Sequence, residues 1–137
     1  MVKIKKVILT NAFSINMIVK EIEDMNEAYV HFIEIDLDTV KKIINNYKGN
    51  VISAIGHEGT AKVLSELTGF DIKANRINVV LDSETTLIVF QILERLPEGK
   101  ILTKEEIEQL MNNGKIKFYE VELTELCDSW RYEVELK

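Results

Sequence analysis

At 137 residues, with 46% apolar and 29% charged side chains, the chain has the size and balance of one globular domain spanning residues 1 to 137, not of a disordered or multidomain protein. A formal charge of −6 argues against a protein that coats long nucleic acids, so no DNA partner is expected. It leaves room for a small anionic ligand held by a few arginines and backbone donors in one pocket.

No apolar run approaches the roughly 20 residues that span a bilayer, so no membrane partner is expected either. The N-terminal MVKIKKVILTNAF has basic residues before a short apolar run, but that run is β-branched and stops at Asn11, which suits a strand better than a signal peptide. A single cysteine, Cys127, permits no internal disulfide, and the expected compartment is the cytoplasm.

Within residues 4 to 11, Val7-Ile8-Leu9 reads as a strand buried on both faces and central in a sheet. It runs into NAFSINM, residues 11 to 17, whose Asn11, Ser14 and Asn16 alternate with apolar residues. Such a loop at a strand end either binds a ligand or satisfies its own backbone in an Asx or Ser turn. Residues 18 to 28, with Glu21, Glu23, Asp24 and Glu27, form an acidic, variable connection. YVHFIEI then alternates as a strand, with Tyr29, His31, Ile33 and Ile35 on one face and Val30, Phe32 and Glu34 on the other. His31 is expected to be a half-buried strand residue rather than a ligand. Asp36 or Asp38 caps the following helix, LDTVKKIINNYK, in which Leu37, Val40, Ile43 and Ile44 make an apolar stripe, and Gly49 ends it.

VISAIGHEGTAKVLSELTG, residues 51 to 69, sets a short apolar segment, strand or helical turn, before an amphipathic helix. The helix is predicted from Glu58, burying Ala61, Leu64 and Leu67 and stopping at Gly69. His57 stands at its start, near backbone N–H groups that have no intrahelical acceptor and favour anions. It either decorates that helix start or trades protons near neutral pH beside a bound phosphate. GHEGTAK lacks the Gly-Lys-Ser/Thr end of a nucleoside-triphosphate loop, which excludes that reading.

Asn75-Arg76 opens RINVVL, and after the polar turn at 82 to 85 comes TLIVFQILERL, so the two segments are predicted to pair as a β-hairpin. Gln91 is anomalous in the second, and Gln91, Leu93 and Arg95 share a face by the period of two. Arg95-Leu96-Pro97-Glu98-Gly99-Lys100 is either a solvated turn or part of a site. Thr103 with Glu106 is a capping box for a helix closed by Gly114, and KIKFYEVEL, residues 115 to 123, is a last strand. The tail with Trp130 forms a further edge strand or packs against the body. The order of elements predicts an α/β (α+β) fold, a mixed sheet of about five to six strands with about three helices in one domain.

His31, His57 and Cys127 are scattered without metal-ligand spacing, so no metal and no cofactor is expected. A G-x-S-x-G nucleophile turn is absent from the sequence. What remains is Asn11, Ser14 and Asn16 after one strand, His57 at a helix start, Arg76, and Gln91, Arg95 and Glu98 near another strand end. That set suits phosphodiester cleavage in RNA, whose 2′-hydroxyl is a built-in nucleophile. The enzyme must align it in line with the scissile bond, protonate the leaving 5′-oxygen and stabilise the phosphorane.

Four separated motifs, NAFSINM, SAIGHEGT, NR at 75 and 76, and QILERLPEGKIL, occur in the same order as in the viral type III anti-CRISPR ring nucleases and their prokaryotic relatives, which the chain resembles from residue 4 to about residue 123. The resemblance implies a homodimer that binds cyclic tetra-adenylate, the second messenger of type III CRISPR immunity. It also implies metal-independent cleavage to short linear products ending in a 2′,3′-cyclic phosphate. By motif, the family's catalytic histidine falls on His57, its first-loop serine on Ser14, and its arginine and glutamate on Arg95 and Glu98. The ligand contacts fall on Asn11, Asn16, Gly56, Arg76 and Gln91. Segment 18 to 28, the strand after it and the Trp130 tail match no motif of the family. In a viral protein the implied location is the host-cell cytoplasm. A homodimer also makes physical sense, since a two-fold interface presents the same groups to opposite sides of a cyclic tetranucleotide. The alternative is a non-catalytic protein that binds or sequesters the cyclic oligonucleotide.

Overall fold

Val7, Ile8, Leu9 and Thr10 are all buried because their strand, β1 (Lys6–Thr10), lies inside the sheet with a neighbour on either edge. The computed structural model describes residues 6–18, 28–94 and 102–124. Arg95, Glu98, most of the acidic segment 18 to 28, and the tail with Cys127 and Trp130 lie outside the described residues.

After β1 and a short 3-10 turn (Ile15–Met17) come β2 (Tyr29–Ile35), α1 (Leu37–Asn46), β3 (Val51–Ala54), α2 (Glu58–Thr68), β4 (Thr85–Ile92), α3 (Lys104–Asn112) and β5 (Ile116–Thr124). The described strands form one mixed sheet in the order β2-β5-β4-β1-β3. β3 and β4 both run parallel to β1, with Thr10 in register with Ala54 and with Val89, whereas β5 is antiparallel to both β4 and β2. Three strands therefore end side by side at the same edge, carboxyl ends together.

One face of the sheet carries the helices. Val7 and Leu9 of β1, Phe90 of β4 and Phe118 of β5 pack there with Val40 and Ile44 of α1, Leu64 of α2 and Ile107 of α3. The Phe90 and Phe118 rings meet at 5.3 Å between centroids, tilted by 43°. Caps set the helix ends. The Asp36 carboxylate accepts from the Thr39 backbone N–H at 2.8 Å, Thr103 and Glu106 form the predicted reciprocal box, and Gly69 closes α2 in the left-handed region at φ 79°.

The opposite face carries no described α-helix. Ile8, Leu87, Val89 and Val121 are covered there by Phe13, Met17, Val79 and Leu81. This corrects the predicted hairpin. Residues 71 to 82 form no strand, because both edges of β4 are already occupied by β1 and β5. The alternation in RINVVL instead records a segment laid across the sheet, burying Leu81 and exposing Val80, and the Leu81 N–H donates to the Met17 carbonyl at 2.9 Å. The polar turn survives as an Asx turn in which Asp82 accepts from the Glu84 N–H at 3.0 Å and the Thr85 hydroxyl at 2.7 Å.

The faces of β2 are as predicted, with Ile35 reaching the helix-side core and Val30 the other. His31, however, is exposed rather than half-buried. β2 is an edge strand, and of its helix-side residues only Ile35 is packed against that core. Among the described residues no helix is long and apolar enough to cross a membrane.

Candidate functional site

The parallel trio β3-β1-β4 delivers its following loops to one edge, the place where open sheets with parallel strands collect ligand-binding groups. β1 stops in a local turn in which the Thr10 hydroxyl donates to the Ala12 carbonyl at 3.0 Å. Asn11 then reaches sideways to β3, its Oδ1 accepting from the Gly56 N–H over a long 3.5 Å. The side chain of Asn11 thus bridges two strand ends rather than closing an Asx turn of its own. Ser14 sits at the start of the 3-10 turn with extended backbone (φ −133°, ψ 156°), and its exposed hydroxyl makes no capping bond. Asn16 is exposed within that turn.

Beyond β3 the chain passes through Ile55 and Gly56 to His57, which is the N-cap of α2 by its backbone alone. Its carbonyl accepts from the Ala61 N–H at 3.0 Å, and its imidazole takes no part in capping. The ring is exposed, and α2 is anchored behind it by Ala61, Val63 and Leu64, each buried. Apart from its two chain neighbours, an added Cβ at Gly56 would meet no atom within 4 Å, so the missing side chain leaves open space at this position. Arg76 closes the group from the other side, its Nε donating to the Gly56 carbonyl at 3.0 Å. Gln91 occupies the end of β4 two residues past the register partner of Thr10, and it is exposed where Thr85 to Phe90 are all buried.

Asn11, Gly56, His57 and Arg76 are therefore joined through hydrogen bonds and chain neighbours. Ser14, Asn16 and Gln91 lie on the loop or strand end at the same edge. Chemically, the group offers amide and guanidinium donors, a hydroxyl and an imidazole, all suited to an anionic ligand. Two residues passed over as functional in the sequence belong to the same structure: Ser53 and Asn75, whose side chains bond the backbone around Gly56. The adjacency of Asn75 to Arg76 was the available signal. A cleft of about 500 Å³ lies elsewhere, between Lys62 and Glu66 of α2, Phe70, and Leu102 and Ile107 at α3. A second, about 400 Å³, borders Ser53 and Asn75. No group of three or more histidine, cysteine or acidic side chains able to hold a metal ion occurs among the described residues.

A model of the STIV B116-like family matches residues 7–125. The chain is 38% identical over 69 residues to ORF116 of Acidianus filamentous virus 1, covering 50% of this chain and 60% of that protein. It is 38% identical over 88 residues to protein 26 of Sulfolobus islandicus filamentous virus, 64% of this chain and 73% of that one. YddF of Bacillus subtilis is 37% identical over 86 residues, 63% of this chain and 76% of YddF. Among solved structures, B116 of Sulfolobus turreted icosahedral virus matches with a TM-score of 0.71 and 34% identity over 85% of this chain and 98% of that one. With the matched span running from β1 to the end of β5 and a solved member sharing the architecture, the chain belongs to the STIV B116-like family.

Proposed function

We propose that the protein is a metal-independent ring nuclease that acts as a cytoplasmic homodimer on cyclic tetra-adenylate and switches off type III CRISPR signalling. The observation that carries this reading is the joining of Asn11, Gly56, His57 and Arg76 at the carboxyl ends of parallel strands, with an imidazole left uncommitted by its helix cap.

In this reaction the ribose 2′-hydroxyl gives up its proton to water as its oxygen attacks the adjacent phosphorus, and the bond from phosphorus to the 5′-oxygen breaks. One product end is a 2′,3′-cyclic phosphate, the other a 5′-hydroxyl. His57 donates the proton that the departing 5′-oxygen takes up. Ser14, Asn11 and Asn16 hold phosphate or ribose oxygens in line for attack, worth part of the barrier as orientation alone. Arg95 balances charge on the phosphorane, and Glu98 orients the imidazole or assists proton transfer, roles that rest on the family resemblance. The substrate's own hydroxyl is the nucleophile, so the mechanism needs no metal to generate one. A two-fold dimer places one such set against each side of the ring, and two cuts yield linear di-adenylates.

Incubating a large excess of cyclic tetra-adenylate with little protein in excess chelator tests the proposal. Many turnovers to products with a 2′,3′-cyclic phosphate are expected. Stoichiometric binding without product would assign the site to sequestration instead.

A further inference from the structure

Two of the sequence motifs, residues 53 to 60 and residues 75 and 76, are stitched together by hydrogen bonds, of which the proposed function draws only on the one from Arg76 to Gly56. β3 pairs only with β1 among the described strands, so its other edge presents carbonyls at alternate residues. Residues 73 to 76 cover that edge. The Ser53 hydroxyl donates to the Lys73 carbonyl at 2.5 Å and accepts from the Ile55 N–H at 3.3 Å. Asn75 Nδ2 donates to the Ser53 carbonyl at 2.7 Å, and the Asn75 N–H donates to the Ile55 carbonyl at 2.8 Å. Arg76 Nε continues the series at the Gly56 carbonyl, 3.0 Å away. The contacts advance along 53, 55 and 56 and stop one residue short of His57.

We infer that Asn75, seconded by Ser53, is a positioning residue that fixes the backbone from which His57 projects; this rests on the reading of His57 as the general acid. The cap of α2 does not hold the imidazole, so its aim follows the backbone of residues 55 to 57. On the β1 side that backbone is tied by the long Asn11 contact of 3.5 Å, whereas the two Asn75 bonds are short. An asparagine fits the task by its geometry. Its side-chain amide supplies a donor one carbonyl away from its own N–H, which an aspartate of the same shape lacks and replaces with a charge facing the Ser53 oxygen. A general acid must keep its proton within hydrogen-bond reach of the leaving oxygen, and a misplacement of about 1 Å costs on the order of a hundredfold in rate. Loosening the brace therefore shows in the chemical step before it shows in binding.

The test compares the full-length wild type with Asn75→Ala, Asn75→Asp and Ser53→Ala in two assays. One is single-turnover cleavage of cyclic tetra-adenylate with its Kd, and the other is amide hydrogen exchange at residue 75, Gly56 and the β1 and β4 cores. The expected result is a rate about 10- to 100-fold lower in both Asn75 variants, a smaller loss in Ser53→Ala and a Kd changed by less than about threefold. Exchange should speed up at residue 75 and Gly56 but not in β1 or β4. An unchanged rate, or a Kd weakened by the same factor as the rate, overturns the inference, the second outcome making Asn75 a ligand contact. Faster exchange throughout the sheet would reduce Asn75 to a general stabiliser and overturn it too. If the wild type cleaves nothing, the ring-nuclease reading fails on its own. The exchange data then still decide the brace, which unchanged protection at residue 75 and Gly56 would refute.

Discussion

Leu64→Ala tests whether α2 is a fixed platform for His57. Leu64 is 1% exposed and lies in the helix-side core with Leu9, Phe90 and Ile107, one helical turn beyond the equally buried Ala61. Removing the side chain from such a site costs the transfer free energy plus the cavity left behind, about 3–5 kcal/mol. For a chain of 137 residues the unfolding entropy near the midpoint is about 0.29 kcal/mol/K, so Tm should fall by about 10–17 °C. Urea unfolding read by circular dichroism should show the midpoint moving down by about 1–3 M with an unchanged slope. Lys62→Ala, on the exposed side of the same helix, is the control and should stay within about 0.5 kcal/mol. A loss below about 1 kcal/mol at Leu64 would mean that α2 sits loosely on the sheet, and the argument that its packing fixes the histidine would fail.

Other predictions concern the site and the caps. Gly56→Ala should leave the unfolding free energy from urea titration within about 0.5 kcal/mol of wild type, since the added Cβ meets nothing beyond its two chain neighbours within 4 Å, yet weaken cyclic tetra-adenylate binding about tenfold in titration calorimetry. Ser14→Ala and Arg95→Ala should each lower the single-turnover rate about a hundredfold with Kd changed far less, measured by rapid quench. The bonds from the Thr39 hydroxyl and N–H hold the Asp36 carboxyl below its ordinary value of 3.8. The stability this carboxylate contributes is therefore complete above the ordinary carboxylate range and fades as pH falls through the depressed folded-state value. Asp36→Asn should flatten that acid limb in urea midpoints collected between pH 7 and pH 2, and an identical limb would contradict the assignment.

Period and capping chemistry made much of this fold readable in the sequence. The run Val7-Ile8-Leu9 announces a strand buried on both faces because no polar residue interrupts it, and it occupies an interior position in the sheet. Thr103 with Glu106, Asp36 and Gly69 marked helix ends because their side-chain oxygens, or the lack of a Cβ, solve the termini locally. RINVVL misled because alternation reports one buried side, not a hydrogen-bonded neighbour. Burial of Leu81 under the loop that follows β1 yields the same pattern as a hairpin. The exposure of His31 was hidden for a related reason, since whether a strand sits at an edge is decided by partners distant in sequence. At the site, the chemistry of His57, Arg76 and Asn11 was visible as residue types, but their joining around Gly56 spans 20 to 45 residues of sequence and needed the parallel register of β1 and β3. Asn75 stands in a motif but its role is not legible there, because a side chain that serves another segment's backbone has no local signature.

The most direct measurement is single-turnover cleavage of cyclic tetra-adenylate in excess chelator by wild type and His57→Ala, with Kd determined for both. The proposed mechanism predicts cleavage by the wild type to linear products bearing a 2′,3′-cyclic phosphate. It also predicts a loss of about 100-fold or more in the variant with binding retained. A fully active His57→Ala protein, or a wild type that cleaves only when a divalent metal is supplied, would contradict it.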